Sequence, residues 1–443
     1  MKLLSAQAAL VLILLVALPS RALAQVNTTR TKIPQKDDPE QAAIQSLLAA
    51  AQDAMAKKDF AAAVDAYRQY LLKRPDDAIA HFQLGYAFTA LARPADAKPE
   101  YERAIQLNPN MAEAYENLGL TLLPTDPAAA TTPLRQAIEL RRDSAPMIWA
   151  LGKAYEASGK LTEAIEQYKA ASELPGAGPE IQESLGFALL QTGSVREAEA
   201  AFHSALESNP VGMSQAQAHL GLAEVHRANK ELAAATSEFR TYLEVRPIDA
   251  GARRELAAVL ADLGKNDEAL AELDRAGTPA TEPLSALMLR SRIYYEAKRY
   301  DDAILVLNRA AALAPKDPDV FARLGHVYMK KRDYKNAALT LANALQLEPN
   351  GNDILGELIA ALYFNKSYAA ALKEINLLEQ RESLPPVGLF MRAACYDKLG
   401  QAAEALDAYQ KFLAMNKDEN SDMYFEATSR SRVLAFELKN KKR

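Results

Sequence analysis

The chain has 443 residues, 49% hydrophobic and 25% charged, with a formal net charge of −5. That balance belongs to an ordinary soluble globular protein, and mild acidity without a basic stripe excludes a dedicated nucleic-acid binder. A single cysteine excludes an intrachain disulfide framework and a cysteine-built zinc or iron–sulfur centre, and five histidines leave little for a histidine-rich metal site.

Residues 1–24 read as a secretory signal. Lys2 supplies the positive start, Ala8 to Leu18 is an unbroken apolar run, and Ala22-Leu23-Ala24 is an A-x-A cleavage motif. Eleven apolar residues extend only about 16 Å as a helix, against a hydrocarbon core of ~30 Å. Cleavage before Gln25 removes Lys2 and Arg21 and no acid. A retained anchor is the alternative. No cysteine stands at the cleavage point to carry a lipid, and no second long apolar run follows. Residues 25–43 are polar, carry Pro34 and Pro39, and read as a flexible linker.

From residue 44 onward the chain repeats. Alanines stand at positions 63, 97, 130, 164, 198, 235, 269, 303, 337, 371 and 405, almost always 34 residues apart. Four residues after each comes a large apolar or aromatic residue, such as Tyr67, Tyr101, Leu134, Tyr168, Phe202, Phe239 or Leu341. Ahead of the alanines runs a series of small residues, Gly85, Gly119, Gly152, Gly186, Ala223, Ala257, Ser291 and Gly325, most of them preceded by leucine. Pro75, Pro109, Pro210, Pro247, Pro315 and Pro349 close many units. Each unit predicts two antiparallel helices. The small residue of the first lets the alanine of the second approach closely, and the large residue one turn on fills the core. Proline ends the second helix, and a following polar residue caps the next, as in Pro315-Lys316-Asp317 or Pro349-Asn350.

This pattern resembles the tetratricopeptide repeat (TPR), W-x2-L-G-x2-Y, A-x3-F, P. The second unit (His81, Leu84-Gly85, Phe88, Ala97, Tyr101, Ala104, Pro109) and the ninth (Phe321, Leu324-Gly325, Tyr328, Ala337, Leu341, Ala344, Pro349) match it best. The resemblance implies an all-α fold, a right-handed superhelical solenoid of about eleven helix-turn-helix units over residues 44–419. Residues 420–443 read as a capping helix, whose outer face should be polar, ending in a basic tip. A basic partner-binding tail is the alternative.

Departures from the pattern mark weak points. The third unit is one residue short, and Pro133 and, in the second unit, Pro99 should shorten or kink their helices. Three extra residues near Val211 to Ser214 predict a longer loop. Ile359 replaces the small residue of the tenth unit and should push its helices apart. Pro279 to Pro283 and Pro385-Pro386 interrupt two connections, as loops or hinges.

The chain contains no H-E-x-x-H, no G-x-S-x-G and no phosphate-binding loop; Gly159-Lys160 reads as a turn between paired helices. His219 and His226 fall on core positions and are too few for a metal site. Cys395 reads as a buried inert thiol. The carboxylates read as solvated helix faces with no pair standing out. No segment is left for a catalytic domain, so the reading is a non-enzyme without cofactor or metal.

The resemblance implies that a protein or peptide partner binds in the concave groove lined by the first helices. Projecting the repeat register places Phe82, Tyr86, Asn117, Trp149, Lys153 and Phe187 there in the first half, and Arg254, Arg292, Tyr295 and His326 in the second. Arg254, Arg292 and Lys330 could form an anion strip, though they recur every 38 residues instead of 34. Packing between repeats is the competing role for the aromatics. The expectation is an exported scaffold, periplasmic or secreted, with no nucleic acid and no integral membrane segment after cleavage. The alternative is an accessory subunit of an envelope machine for polysaccharide, pilus or outer-membrane assembly.

Overall fold

A computed structural model describes residues 39–441 except 142–143, 209, 279–280, 417 and 419–420. The signal, residues 25–38 of the linker and the last two residues of the basic tip lie outside them. Among the described residues the chain is all-α, with twenty-three helices and no strand. It divides into two compact units, the first ending at Arg246 and the second beginning at Pro247.

The first unit holds six hairpins in order: α1 (Pro39–Ala56) with α2 (Phe60–Lys73), α3 (Ala78–Ala90) with α4 (Pro94–Leu107), and α5 (Ala112–Leu122) with α6 (Pro127–Leu140). Then come α7 (Ala145–Ala157) with α8 (Leu161–Ser172), α9 (Pro179–Gln191) with α10 (Val195–Glu207), and α11 (Met213–Ala228) with α12 (Leu232–Val245). The second unit holds five more: α13 (Ala250–Asp262) with α14 (Asn266–Ala276), α15 (Leu284–Glu296) with α16 (Tyr300–Leu313), and α17 (Pro318–Lys331) with α18 (Tyr334–Leu347). The last two are α19 (Asn352–Phe364) with α20 (Tyr368–Arg381) and α21 (Pro386–Lys398) with α22 (Ala402–Met415), followed by the single helix α23 (Asp422–Lys441). Eleven hairpins and one closing helix are the expected array. Residues 39–43, read as linker, form the first turn of α1, where Pro39 supplies a pre-set helical φ.

The repeat alanines are fully buried, from Ala63 to Ala405. The glycines ahead of them act differently from the expectation. A Cβ added at Gly85, Gly152 or Gly186 would meet the ring of Tyr101, Tyr168 or Phe202 first, at 2.8, 2.4 and 2.6 Å. It would meet Leu134 from Gly119 and Leu341 from Gly325, both at 2.5 Å. The missing side chain therefore makes room for the large residue of the second helix, which occupies the space a Cβ would fill. Phe202 is covered twice, because Gly221 of the next hairpin lies against the same ring. Ile359 is accommodated: it is buried with Ile375 in one apolar cluster, in the least closely packed of the hairpins.

Helix ends follow local chemistry. Ten of the eleven hairpins turn through a residue with positive φ, from Lys58 and Ala92 to Gly159 and Gly400; the third hairpin, one residue short, lacks it. Asp317 caps α17 by accepting from the Asp319 N–H at 3.0 Å, as expected, whereas Gly351 and not Asn350 caps α19. Pro99 and Pro133 do not shorten their helices: α4 and α6 keep 14 residues each, and Pro133 is buried. The three extra residues near Val211 lengthen α11 to 16 residues at its start, and only Val211 and Gly212 remain outside it. The proline-marked connections are fastened by buried side chains, Glu282 in one and Leu384 in the other. The exposed face of α23 is mostly polar, with Asp422, Glu426, Arg432 and Glu437 among its residues, but Phe425 and Phe436 interrupt it, 78% and 67% exposed.

Candidate functional site

In the first unit most of the groove residues are taken up by packing. Trp149 is 7% exposed, and its Nε1–H donates to Ser184 Oγ at 2.9 Å, tying α7 to α9. It completes inter-hairpin packing and offers no face to a partner. Lys153 pairs with Glu156 at 2.8 Å and lies over the Tyr168 ring, 5.8 Å from its centroid. Phe187 stacks edge-on against Phe202 at 4.9 Å. Phe82 leans on Tyr101 and Tyr86 on Phe60, each half-buried. Asn117 donates to the Glu113 carbonyl within its own helix. His219 and His226 are half-buried rather than in the core, each on a glutamate, Glu238 and Glu231, at 2.6 Å.

A cavity in this unit, lined by residues including Ile44, Leu48, Tyr70, Arg74 and Asp77, has its polar groups largely satisfied internally. Tyr70 donates to Asp77 and Arg74 to Gln41, each at 2.7 Å. One buried acid has no sequence signal. Glu183 of α9 accepts from Ser214 of α11, and burial pushes its carboxyl up to about 7.

The second unit gathers three expected residues into one place. Arg292 and Tyr295 of α15 and His326 of α17 line a cavity of about 440 Å³. Leu307, Val327, Ile354 and Ala322 make its apolar walls, and Glu296, Arg323, Asp353 and Glu357 complete its polar lining. His326 joins three successive first helices. Its Nε2 lies 2.8 Å from Tyr295 Oη and its Nδ1 lies 3.2 Å from Glu357 Oε1 of α19. In the neutral ring, Nδ1–H donates to Glu357 and the tyrosine hydroxyl donates to Nε2, an assignment from the two partners. The rings of Tyr295 and His326 are 5.3 Å apart.

Arg292 donates to Asp262 of α13 at 2.8 Å. Arg254 and Lys330 do not line the cavity, so the arginine–lysine strip does not form there. The 34-residue register missed Arg323, Asp353 and Glu357 because successive first helices are offset along their axes. Several contacts between them step by 31 residues, as in Tyr295–His326–Glu357 and Glu183–Ser214, and Asp262–Arg292 steps by 30. A search at that step would have found the cluster.

The buried interior also differs from the sequence reading of the acids. Arg290 occupies the position where most units carry leucine. It is buried on Glu282, with Nη2 to Oε1 at 2.6 Å, and it reaches Asp274 at 2.8 Å. Cys395 is buried, as expected, and burial pushes its thiol up to about 12, far from a reactive thiolate. Among the described residues no group of three or more His, Cys, Asp or Glu side chains is placed to hold a metal ion, and no helix is long and apolar enough to cross a membrane.

Family models described as tetratricopeptide repeat match residues 48–93, 184–244 and 323–385, with further matches at 78–111 and 388–417. One described as TPR repeat matches residues 152–193 and 292–332. Together they cover well over half of the chain. A curated relative, cellulose synthase operon protein C of Xanthomonas axonopodis pv. citri, is 31% identical over 194 residues, which are 43% of this chain and 11% of that protein. The chain thus spans about a tenth of that relative's length. Among solved structures, MamA is 28% identical over 37% of this chain and 90% of its own, with a TM-score of 0.36. Yeast Tom70 is 13% identical over 90% of this chain and 97% of its own, at 0.37. YrrB, described as a TPR protein with an unusual peptide-binding site, is 18% identical over 43% of this chain and 96% of its own, at 0.38.

Proposed function

We propose that this chain, which belongs to the tetratricopeptide repeat family, is a non-catalytic scaffold that binds a protein or peptide segment at the cavity of its second unit. The carrying observation is the convergence of Arg292, Tyr295 and His326 on one apolar-walled cavity, with polar groups from four first helices at or beside it. Such a mixture suits a ligand with both apolar side chains and a hydrogen-bonding backbone. The first-unit residues Phe82, Tyr86, Asn117, Lys153 and Phe187 serve as secondary contacts at most, since they pack or pair within the fold and line neither cavity.

A photo-crosslinking residue at position 326, against one at the exposed position Leu305 of α16, tests the reading. Crosslinks to a defined polypeptide from position 326 and not from 305 are expected. Equal labelling at both positions would refute it, as would turnover of a substrate by the purified chain.

The setting we propose is the cell envelope. The signal-like residues 1–24 and linker 25–38 support export to the periplasm or beyond. A second reading, an accessory subunit of a polysaccharide-export machine, is favoured by the similarity to a protein named for a cellulose synthase operon. Co-purification of the exported chain with membrane components would favour this second reading. A soluble partner alone would favour the first.

A further inference from the structure

We infer that the second-unit cavity selects a segment carrying an apolar side chain flanked by lysine or arginine. The inference rests on that cavity being the peptide site. Leu307, Val327 and Ile354 present an apolar wall that rewards removal of an aliphatic or aromatic side chain from water.

The charges around that wall are unbalanced. Three carboxylates line the cavity, those of Glu296, Asp353 and Glu357, against the guanidiniums of Arg292 and Arg323. Arg292 is already held by Asp262 at 2.8 Å. Glu357 is already engaged by His326 at 3.2 Å. Glu296 and Asp353 are exposed and make no ion pair with a described residue, leaving Arg323 as the one lining cation without an acidic partner. An acidic segment would find one free guanidinium, that of Arg323, against two unpaired carboxylates beside a low-dielectric wall. A basic one would find partners for both.

The test uses the full chain and three fluorescein-labelled hexapeptides, Lys-Lys-Leu-Phe-Lys-Lys, Ser-Ser-Leu-Phe-Ser-Ser and Glu-Glu-Leu-Phe-Glu-Glu, read by fluorescence anisotropy. Two new exposed pairs should make the basic peptide bind about tenfold tighter than the serine one. The difference should shrink at 0.5 M salt and in the double variant Glu296→Gln/Asp353→Asn. Ala322→Tyr, which fills the cavity from α17, should abolish binding of the basic peptide while far-UV circular dichroism stays unchanged. The acidic peptide binding as tightly as the basic one, or indifference to the double variant, would overturn the charge preference and leave the cavity reading standing. Binding that survives Ala322→Tyr reports diffuse attraction to a chain of net charge −5 and overturns both, as does no binding of any peptide.

Discussion

Arg290 stands where most hairpins carry leucine, and replacing it by leucine should still destabilise the second unit. Its side chain and that of Glu282 are 2% and 3% exposed. Nε and Nη2 donate to the two Glu282 oxygens at 3.2 and 2.6 Å, and Nη1 donates to Asp274 at 2.8 Å. In Arg290→Leu the carboxylate of Glu282 stays buried without its counter-ion, a loss of about 3–5 kcal/mol. Leucine burial returns roughly 2 kcal/mol at most, so a net loss of about 1–3 kcal/mol is expected. Changing both partners, Arg290→Leu/Glu282→Leu, removes the uncompensated charge and should bring stability back to within about 1 kcal/mol of the parent. Asp274→Asn should cost less than about 1 kcal/mol, because Asp274 is 65% exposed. Urea titration followed by far-UV circular dichroism gives the midpoints, compared at a common slope. An Arg290→Leu chain as stable as the parent, or a double variant no better than the single, would show that the pair does not carry the loop after α14.

Further predictions concern buried contacts at Gly221 and Glu183 in the first unit, with Gly356 of the second unit as the open counterpart. A methyl group at Gly221 would stand 2.2 Å from the Phe202 ring, so Gly221→Ala should cost about 1–3 kcal/mol, and Phe202→Leu in the same chain should recover at least 1 kcal/mol of it. At Gly356, where nothing lies within 4 Å, the same substitution should stabilise by up to about 1 kcal/mol; equal effects at the two sites in thermal melts would remove the close-packing account. Glu183 has its carboxyl raised from 4.5 to about 7 by burial, so the fold favours its protonated form. Its contribution is full below pH 4.5 and is lost as pH rises through 7, on the order of 3 kcal/mol. Glu183→Gln should therefore gain stability relative to the parent between pH 4 and pH 8, and parallel pH profiles for the two chains would contradict this.

The fold was legible because it repeats. The alanine and glycine series predicts helix pairs one after another, and a turn such as Gly159-Lys160 is recognisable from its glycine alone, with φ +76° as found. Local misreadings came from neighbours in space. Pro133 looks like a helix breaker, yet it lies buried inside a 14-residue helix whose tertiary packing outweighs the lost N–H. The residues after Val211 look like loop, yet they extend α11, where Ser214 reaches Glu183.

By itself, the sequence determined the class of element, the number of hairpins and the burial of the repeat alanines and of the large residues four positions on, because those follow from side-chain size and a helical period recurring every 34 residues. The axial offset between one hairpin and the next was decided only in three dimensions, since it depends on how ridges and glycine notches seat against each other. That offset brings Tyr295, His326 and Glu357 together at 31-residue steps, while packing of neighbouring elements buries Trp149 on Ser184 and lets Arg290 meet two acids.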